Sequence, residues 1–325
     1  AANNSSTNRA KLGIDTTAPN AATVNAGNGN EITGTAEPGS EIKVDVDGNG
    51  IPDYTTTTDN DGNWSITPDT PLPDGTEVTA TATDNAGNVS DPASDNVDGT
   101  APIVSIDDAI TQDTTPPLSG TIDDPAATIV VTVDGTDYPA TNNGDGTWTL
   151  DDDTLPALTD GTYTVTVTAT DAANNSSTDT ANLVIDTTAP TTGDGTNTIA
   201  FNDGGDGLLN ADEADNVTFT GTVETGATVN SITITDGTST IVVSSADITV
   251  DASGNVSVIG QDLSALNEGE LTVSMEITDP AGNTGTVTDT TILDTTAPVV
   301  SIDDVLTQDT TPPLSGTIDD PAATI

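Results

Sequence analysis

The sequence has no cysteine and no histidine, and only Arg9, Lys11 and Lys43 oppose its 53 Asp and Glu residues. Without cysteine there are no disulfides, no thiolate metal sites and no cysteine nucleophile. Without histidine the commonest general base and the commonest metal ligand are missing, so nucleophilic catalysis of the Ser–His or Cys–His kind is excluded. The net charge of −50 repels nucleic acid and anionic membranes alike, and neither is an expected partner. No hydrophobic run approaches the length of a transmembrane helix, and no signal peptide is apparent. Aromatic residues make up 2% of the chain, so any hydrophobic core must be small and built from Val, Ile, Leu and Ala.

What the chain does contain is a repeated phrase. Asp-Thr-Thr-Ala-Pro occurs at Asp15–Pro19, Asp186–Pro190 and Asp294–Pro298, with Asp-Gly-Thr-Ala-Pro at Asp98–Pro102. The successive spacings are 83, 88 and 108 residues (98−15, 186−98 and 294−186). Periodicity on that scale marks an array of small domains. Residues 1–14 read as the end of a preceding repeat, 15–97 as repeat A, 98–185 as repeat B and 186–293 as repeat C with an insertion near 200–213. Residues 294–325 read as the start of a further B-type repeat. Ser301–Ile325 copies Ser105–Ile129 with two changes, and Ala1–Thr7 copies Ala172–Thr178. Ends cut through repeats predict a segment of a longer parent.

Within each repeat the apolar residues alternate. Tyr163, Val165, Val167 and Ala169 alternate with Thr162, Thr164, Thr166 and Thr168, which predicts a half-buried strand. Val78, Ala80 and Ala82 take the same places in repeat A, and Leu271, Val273, Met275 and Ile277 in repeat C. Turns at Asp74-Gly75, Asp160-Gly161 and Glu268-Gly269 precede these runs, and Trp64 and Trp148 follow the Asp61-Gly62 and Asp145-Gly146 turns into short strands expected to pack in the core. Seven or so strands per repeat predict an all-β fold of tandem immunoglobulin-like β-sandwiches arranged end to end. In repeat B the strands are expected at Ile103–Ile106, Leu118–Ile122, Thr128–Val133, Tyr138–Asn142, Thr147–Leu150, Thr162–Thr170 and Ser177–Ile185.

An Ig sandwich starts strand A at the end carrying its B–C and F–G loops, and strand G leaves at the other end. Each joint should therefore gather the E–F turn of one repeat, the linker Asp, and the B–C and F–G loops of the next. At the A/B joint these supply Asp74, Asp98, Asp123 or Asp124, and Asp171. At the B/C joint they supply Asp160, Asp186, Glu224 and Asp279. At the joint after C they supply Glu268, Asp294 and Asp319 or Asp320, and at the first joint Asp15, Glu37 and Asp84. Two carboxylates 4 Å apart repel by about 4 kcal/mol at an effective dielectric near 20. Converging carboxylates with almost no Lys or Arg nearby call for a hard divalent cation, and calcium best tolerates irregular all-oxygen sites. Taken singly, each Asp is equally an ordinary turn residue on a solvated surface.

Two loops have EF-hand-like spacing. Asp45, Asp47, Asn49, Gly50 and Asp53 occupy positions 1, 3, 5, 6 and 9, with Thr56 where position 12 would carry Glu. The plain alternative is an Asp-Gly hairpin. In repeat C, Asn202, Asp206, Gly207, Leu208 through its carbonyl, Asn210 and Glu213 fit positions 1, 5, 6, 7, 9 and 12, with Gly204 at position 3. The plain alternative there is an acidic inserted loop.

The combination of the Asp-Thr-Thr-Ala-Pro phrase, Asp-Gly-Thr-Trp at Asp145–Trp148 and Asp-Gly-Thr-Tyr-Thr-Val-Thr-Val-Thr-Ala-Thr-Asp at Asp160–Asp171 resembles the bacterial Ig-like repeats of giant type I-secreted, RTX-type and biofilm-associated surface adhesins. The resemblance spans essentially the whole chain. It departs at Asn174, where the family usually has Gly, and in the repeat C insertion. It implies a non-enzymatic extender at the bacterial cell surface, holding a distal adhesive tip outward and stiffened by several calcium ions, mainly at the joints. The expected partners are the neighbouring repeats of the same chain, and a monomer is expected. A glycan- or protein-binding module of the same adhesin is the alternative; paired carboxylates for glycoside hydrolysis would not recur at every linker.

Overall fold

In a computed structural model of the chain, residues 13–319 are described. No α-helix occurs among them; a single 3-10 turn lies at Ser245–Asp247. Two compact units are present. The first carries two sandwiches, and the second carries a third sandwich together with Ile110–Thr114 and Thr159–Gly161.

The first sandwich comprises β1 (Ile32–Thr35), β2 (Glu41–Asp45), β3 (Tyr54–Thr57), β4 (Asn63–Ile66), β5 (Glu77–Thr83) and β6 (Ala93–Asn96). Its sheets are β1-β4 and β3-β2-β5-β6. Ile42, Val44, Val78, Ala80 and Ala82 face Ile32, Trp64 and Ile66 across the core. The expected alternation on β5 is therefore the inward face of a sheet, with Thr79, Thr81 and Thr83 on the other face.

The second sandwich follows as β7 (Val104–Ile106), β8 (Ala109–Thr111), β9 (Leu118–Ile122), β10 (Thr128–Val133), β11 (Thr136–Asn142), β12 (Thr147–Leu150), β13 (Gly161–Thr170) and β14 (Ser176–Ile185). Each expected strand of repeat B is present with its ends shifted by at most two residues; β8 is additional. The strands run in the order β7-β9-β12-β11-β10-β13-β14 because β11 pairs with both β10 and β12. In the first sandwich β3 stops short of β4, so the two sheets stay separate. Trp148 is wholly buried, and its Nε1 donates to the Ser105 carbonyl at 3.0 Å.

The third sandwich consists of β15 (Thr198–Phe201), β16 (Leu208–Leu209), β17 (Val217–Thr222), β18 (Thr228–Thr235), β19 (Thr240–Val242), β20 (Ile248–Val250), β21 (Asn255–Gln261), β22 (Gly269–Thr278) and β23 (Thr284–Leu293). Its sheets are β15-β17-β21-β20 and β16-β23-β22-β18-β19. The insertion supplies β16, which pairs in parallel with the end of β23. Phe201 and Phe219 meet at 5.0 Å in a core closed by Leu209, Ile232, Val273 and Met275.

Beyond it, β24 (Val300–Ile302) and β25 (Gly316–Ile318) pair in the register of β7 and β9. Ile302 is 70% exposed, whereas its counterpart Ile106 is 7% exposed beneath the rest of repeat B.

One glycine recurs in every repeat. Gly34, Gly120, Gly221 and Gly316 sit where an added Cβ would fall on a carbonyl oxygen of the neighbouring A strand: Thr23, Ser105, Thr198 and Ser301 respectively. At Gly120 it would also strike the Trp148 indole. Overpacking of this kind costs about 1–3 kcal/mol. Gly120→Ala is expected at the upper end of that range, read as a lowered melting transition for repeat B. Unchanged melting would mean that strand A does not close on Trp148 as described.

Candidate functional site

Among the described residues, one group of three carboxylates offers ligand atoms all within 4.8 Å of one another: Asp45, Asp47 and Asp53. Asp45 ends β2, Asp53 precedes β3, and the hairpin between them brings the three side chains together. The loop is ordered by its own backbone. Asp45 accepts from the N–H groups of Asp47 (3.1 Å), Gly48 (2.8 Å) and Gly50 (2.7 Å). Asp53 accepts from Val46 N–H, and Asn49 bridges Asp47 to Ile51. Gly48 and Gly50 have φ of 69° and 78°, the left-handed region that glycine enters without penalty. Burial pushes the Asp45 carboxyl upward, but the N–H groups of Gly50, Gly48 and Asp47 outweigh it and hold it below the ordinary carboxylate range. The group thus stays ionised and faces outward. Lys43, the only basic residue among the described ones, pairs with Glu41 at 3.3 Å.

These residues fit a calcium ion. The donors are all oxygen, three carry formal charge, and each carboxylate keeps lone pairs beyond those its N–H donors use. Thr56, at position 12, lies inside β3 paired with Ile42, so it belongs to the ladder and supplies no acidic ligand.

The repeat C loop is arranged differently. Asn202 donates to Thr218 on β17, Asp206 accepts from Leu208 N–H, and Glu213 accepts from Asn210 N–H. Leu208 has entered β16. Glu213 folds back over Gly204, the residue at position 3. No three carboxylates of this loop meet within 4.8 Å among the described residues.

The joint acids have recurrent hydrogen-bonding roles. Every linker Asp closes an Asx turn: Asp15 accepts from Thr17 N–H, Asp98 from Thr100, Asp186 from Thr188 and Asp294 from Thr296. The E–F acid of the preceding repeat grips the linker that follows it. Asp74 accepts from Gly99 N–H and the Thr100 hydroxyl; Asp160 accepts from Thr187 and Thr188; Glu268 accepts from Thr295 and Thr296. The Thr hydroxyls hold Asp160 and Glu268 below their ordinary carboxyl values. In the B–C loops, Asp123 accepts from Ile103 N–H, Asp319 from Val299 N–H, and Asp124 from Ala126 N–H. The Glu37 carbonyl, rather than its carboxylate, is tied to Ser40 and Thr58. Asp320 lies outside the described residues.

The F–G acids Asp84, Asp171 and Asp279 belong to a five-residue turn that starts at Asp and ends at Asn. Its Asp accepts from the backbone N–H and the side-chain amide of the Asn: Asn88, Asn175 or Asn283. The same turn recurs away from the joints at Asp59–Asn63 and Asp251–Asn255. Asn174, the departure from glycine, has φ of 67° where Gly87 and Gly282 have 92° and 97°. Asn is among the few residues that enter that region readily, so the turn survives.

At the B/C joint the acids also act on one another. Burial raises the Glu224 carboxyl, and Asp279, Asp186 and Asp194 raise it further. Asp194 was not among the residues expected from spacing. It caps the turn that opens repeat C, accepting from Thr191, Thr196 and Asn197, and is held well below the ordinary carboxylate range. A cavity of about 200 Å³ is lined by Asp186, Pro190, Asp194, Asn197 and Glu224. Asp279 is 5% exposed, so the cluster is partly shielded from water.

Paired Ig-like sheets, a Trp or Phe core and acid-closed linkers define tandem immunoglobulin-like sandwiches. Residues 98–187 match the family described as bacterial Ig-like domain, and residues 17–98 match the bacterial Ig domain. Residues 17–187 thus consist of two bacterial Ig-like domains. No curated protein matches it significantly. Solved structures similar to it include a tetra-tandem repeat from the extending region of a large adhesion protein (28% identity, 87% of this chain and 76% of that one, TM-score 0.35). Another is a Ca²⁺-stabilized, ice-binding adhesin of an Antarctic bacterium (26% identity, 89% and 78%, TM-score 0.33). A third is a 1.5-MDa bacterial ice-binding adhesin (20% identity, 82% and 91%, TM-score 0.38).

Because its folded-state value is raised, Glu224 contributes stability only while protonated. That contribution is complete below the ordinary Glu range and is lost as pH rises through the raised value. In chelator at pH 7, Glu224→Gln should therefore raise the melting temperature of repeat C. The gain should vanish below about pH 4, where the glutamate itself is protonated. An equal effect at both pH values would show that the neighbouring carboxylates do not act on Glu224.

Proposed function

We propose that this segment is a calcium-stiffened extender of a bacterial surface adhesin, acting outside the cell to hold an adhesive tip away from it. The Asp45–Asp47–Asp53 cluster is the observation that carries the calcium part. It joins three carboxylates in an outward-facing loop, near no cation but a lysine that is already paired. The extender part rests on three successive Ig-like sandwiches, each followed by a linker that the E–F acid of the preceding repeat grips in the same way. At the joints, calcium would neutralise residues such as Asp186, Glu224 and Asp279, adding stiffness to linkers already ordered by hydrogen bonds. The residues in these roles hold and orient the chain; none is assigned a catalytic step. A glycan-binding module would need an exposed aromatic platform, and Trp64 and Trp148 are 3% and 0% exposed. No helix among the described residues is long and apolar enough to cross a membrane.

Extracellular modules bind calcium with Kd of about 10⁻⁴–10⁻³ M. Each tenfold excess of ion over Kd then adds about 1.4 kcal/mol per site. Stiffening would begin after export, because cytoplasmic free calcium lies far below that range.

The test compares X-ray scattering and thermal melting of the full chain in calcium and in chelator. Calcium is expected to raise the melting temperature and lengthen the maximum dimension; identical curves in both buffers would refute the proposal. For the loop itself, Asp47→Asn should weaken calcium binding roughly tenfold or more at one site, since ligand charge sets affinity in such loops. Calorimetry reads this directly, and an unchanged binding isotherm would remove the loop from the account.

A further inference from the structure

The five-residue Asp-to-Asn turn occurs five times in the described residues, but only the three copies in F–G loops reach a linker. An Asn side-chain amide has two N–H donors. In Asn175 one goes to its own Asp171 at 2.8 Å and the other to the backbone carbonyl of linker residue Asp98 at 2.7 Å. Asn283 does the same with Asp279 and the Asp186 carbonyl, both at 2.8 Å, and Asn88 with Asp84 (2.8 Å) and the Asp15 carbonyl (3.3 Å). The amide of Asn63 bonds Asp59 in the identical turn and reaches no linker.

The linker residue held this way is gripped from its other side as well. Asp74 of repeat A takes the N–H of Gly99 and the hydroxyl of Thr100, the two residues that follow Asp98. Ser177 of repeat B donates to the Pro102 carbonyl. The short stretch Asp98–Pro102 is therefore bonded to both repeats through side chains that need no cation.

We infer that Asn88, Asn175 and Asn283 are positioning residues that latch each linker to the repeat that follows it, ordering the joint before any ion binds. The latch shares its Asp residues with the proposed joint sites but needs no ion of its own: it supplies a preformed joint on which a cation could act with little further ordering. It deepens the extender proposal and stands or falls independently of calcium.

The absence of cysteine allows paired spin labels in the full chain at Asp69→Cys in repeat A and Thr136→Cys in repeat B, both exposed. Pulsed electron–electron distance measurements in chelator report the spread of the A-to-B distance. The parent should give a narrow distribution. Asn175→Ala and Asn175→Asp should broaden it roughly two-fold, as the linker gains the freedom of an untethered chain. Asn63→Ala, in the same turn without a linker contact, should leave the width unchanged while lowering local stability to a similar extent. Equal widths for the parent and both Asn175 variants would overturn the latch, as would equal broadening by Asn63→Ala. If the parent narrows only when calcium is added and the Asn175 variants follow it, the latch is wrong and the calcium proposal survives. If the Asn175 variants are broad and calcium changes nothing, the latch is right and the calcium proposal fails.

Discussion

A carboxylate accepting backbone N–H donors is the interaction on which this structure depends. Basic side chains cannot balance 53 acids, and Lys43–Glu41 is the one ion pair among the described residues. The acids are instead housed in turns whose N–H groups point at them. Asp84, Asp145 and Asp251 are held below the ordinary carboxylate range first by the side chain and then by the backbone N–H of the Asn or Thr two or four residues on, and Asp59 first by the backbone N–H of Asn63. Turn formation and charge accommodation are thus one event, and each hairpin of a sandwich carries its own solution. The cores can then remain small, because strand pairing and turn closure share the task of specifying the fold.

The same interaction explains the linkers. A residue in Asp-Thr-Thr-Ala-Pro has a carboxylate to close a local turn, a backbone carbonyl to accept from the following repeat, and adjacent Thr N–H and hydroxyl groups to donate to the preceding one. Proline then limits the backbone where strand A begins. Repetition of the phrase is repetition of this set of bonds. Where the joint also concentrates charge, as around Glu224, the hydrogen bonds alone leave carboxylates working against each other, and a hard cation would relieve that repulsion. The Asp45 loop is the simplest instance, since its three carboxylates already face one point.

Strands were the most legible feature of the sequence. Alternation of Val or Ala with Thr marked β5, β13 and β22, and Asp-Gly turns marked where β4 and β12 begin, because period two and turn chemistry are local properties. Asp45, Asp47 and Asp53 were legible for the same reason: all three lie in one hairpin. The short strands β8, β16 and β20 were not, because two or three residues carry no period and their pairing depends on distant partners. At the joints, spacing located the acids but not their acceptor roles. It said nothing of Asn88, Asn175 and Asn283, whose second donor is visible only when the linker is in place. Asp194 was hidden because its importance comes from Glu224, thirty residues along the chain. The recurring Asn at the end of the Asp turn was the available signal for the latch.

Anomalous diffraction from crystals of the full chain grown with calcium tests the central claim most directly. The account predicts an ion peak among Asp45, Asp47 and Asp53, and another within reach of Asp186, Glu224 and Asp279. Well-ordered carboxylates at both places with water alone between them would contradict it.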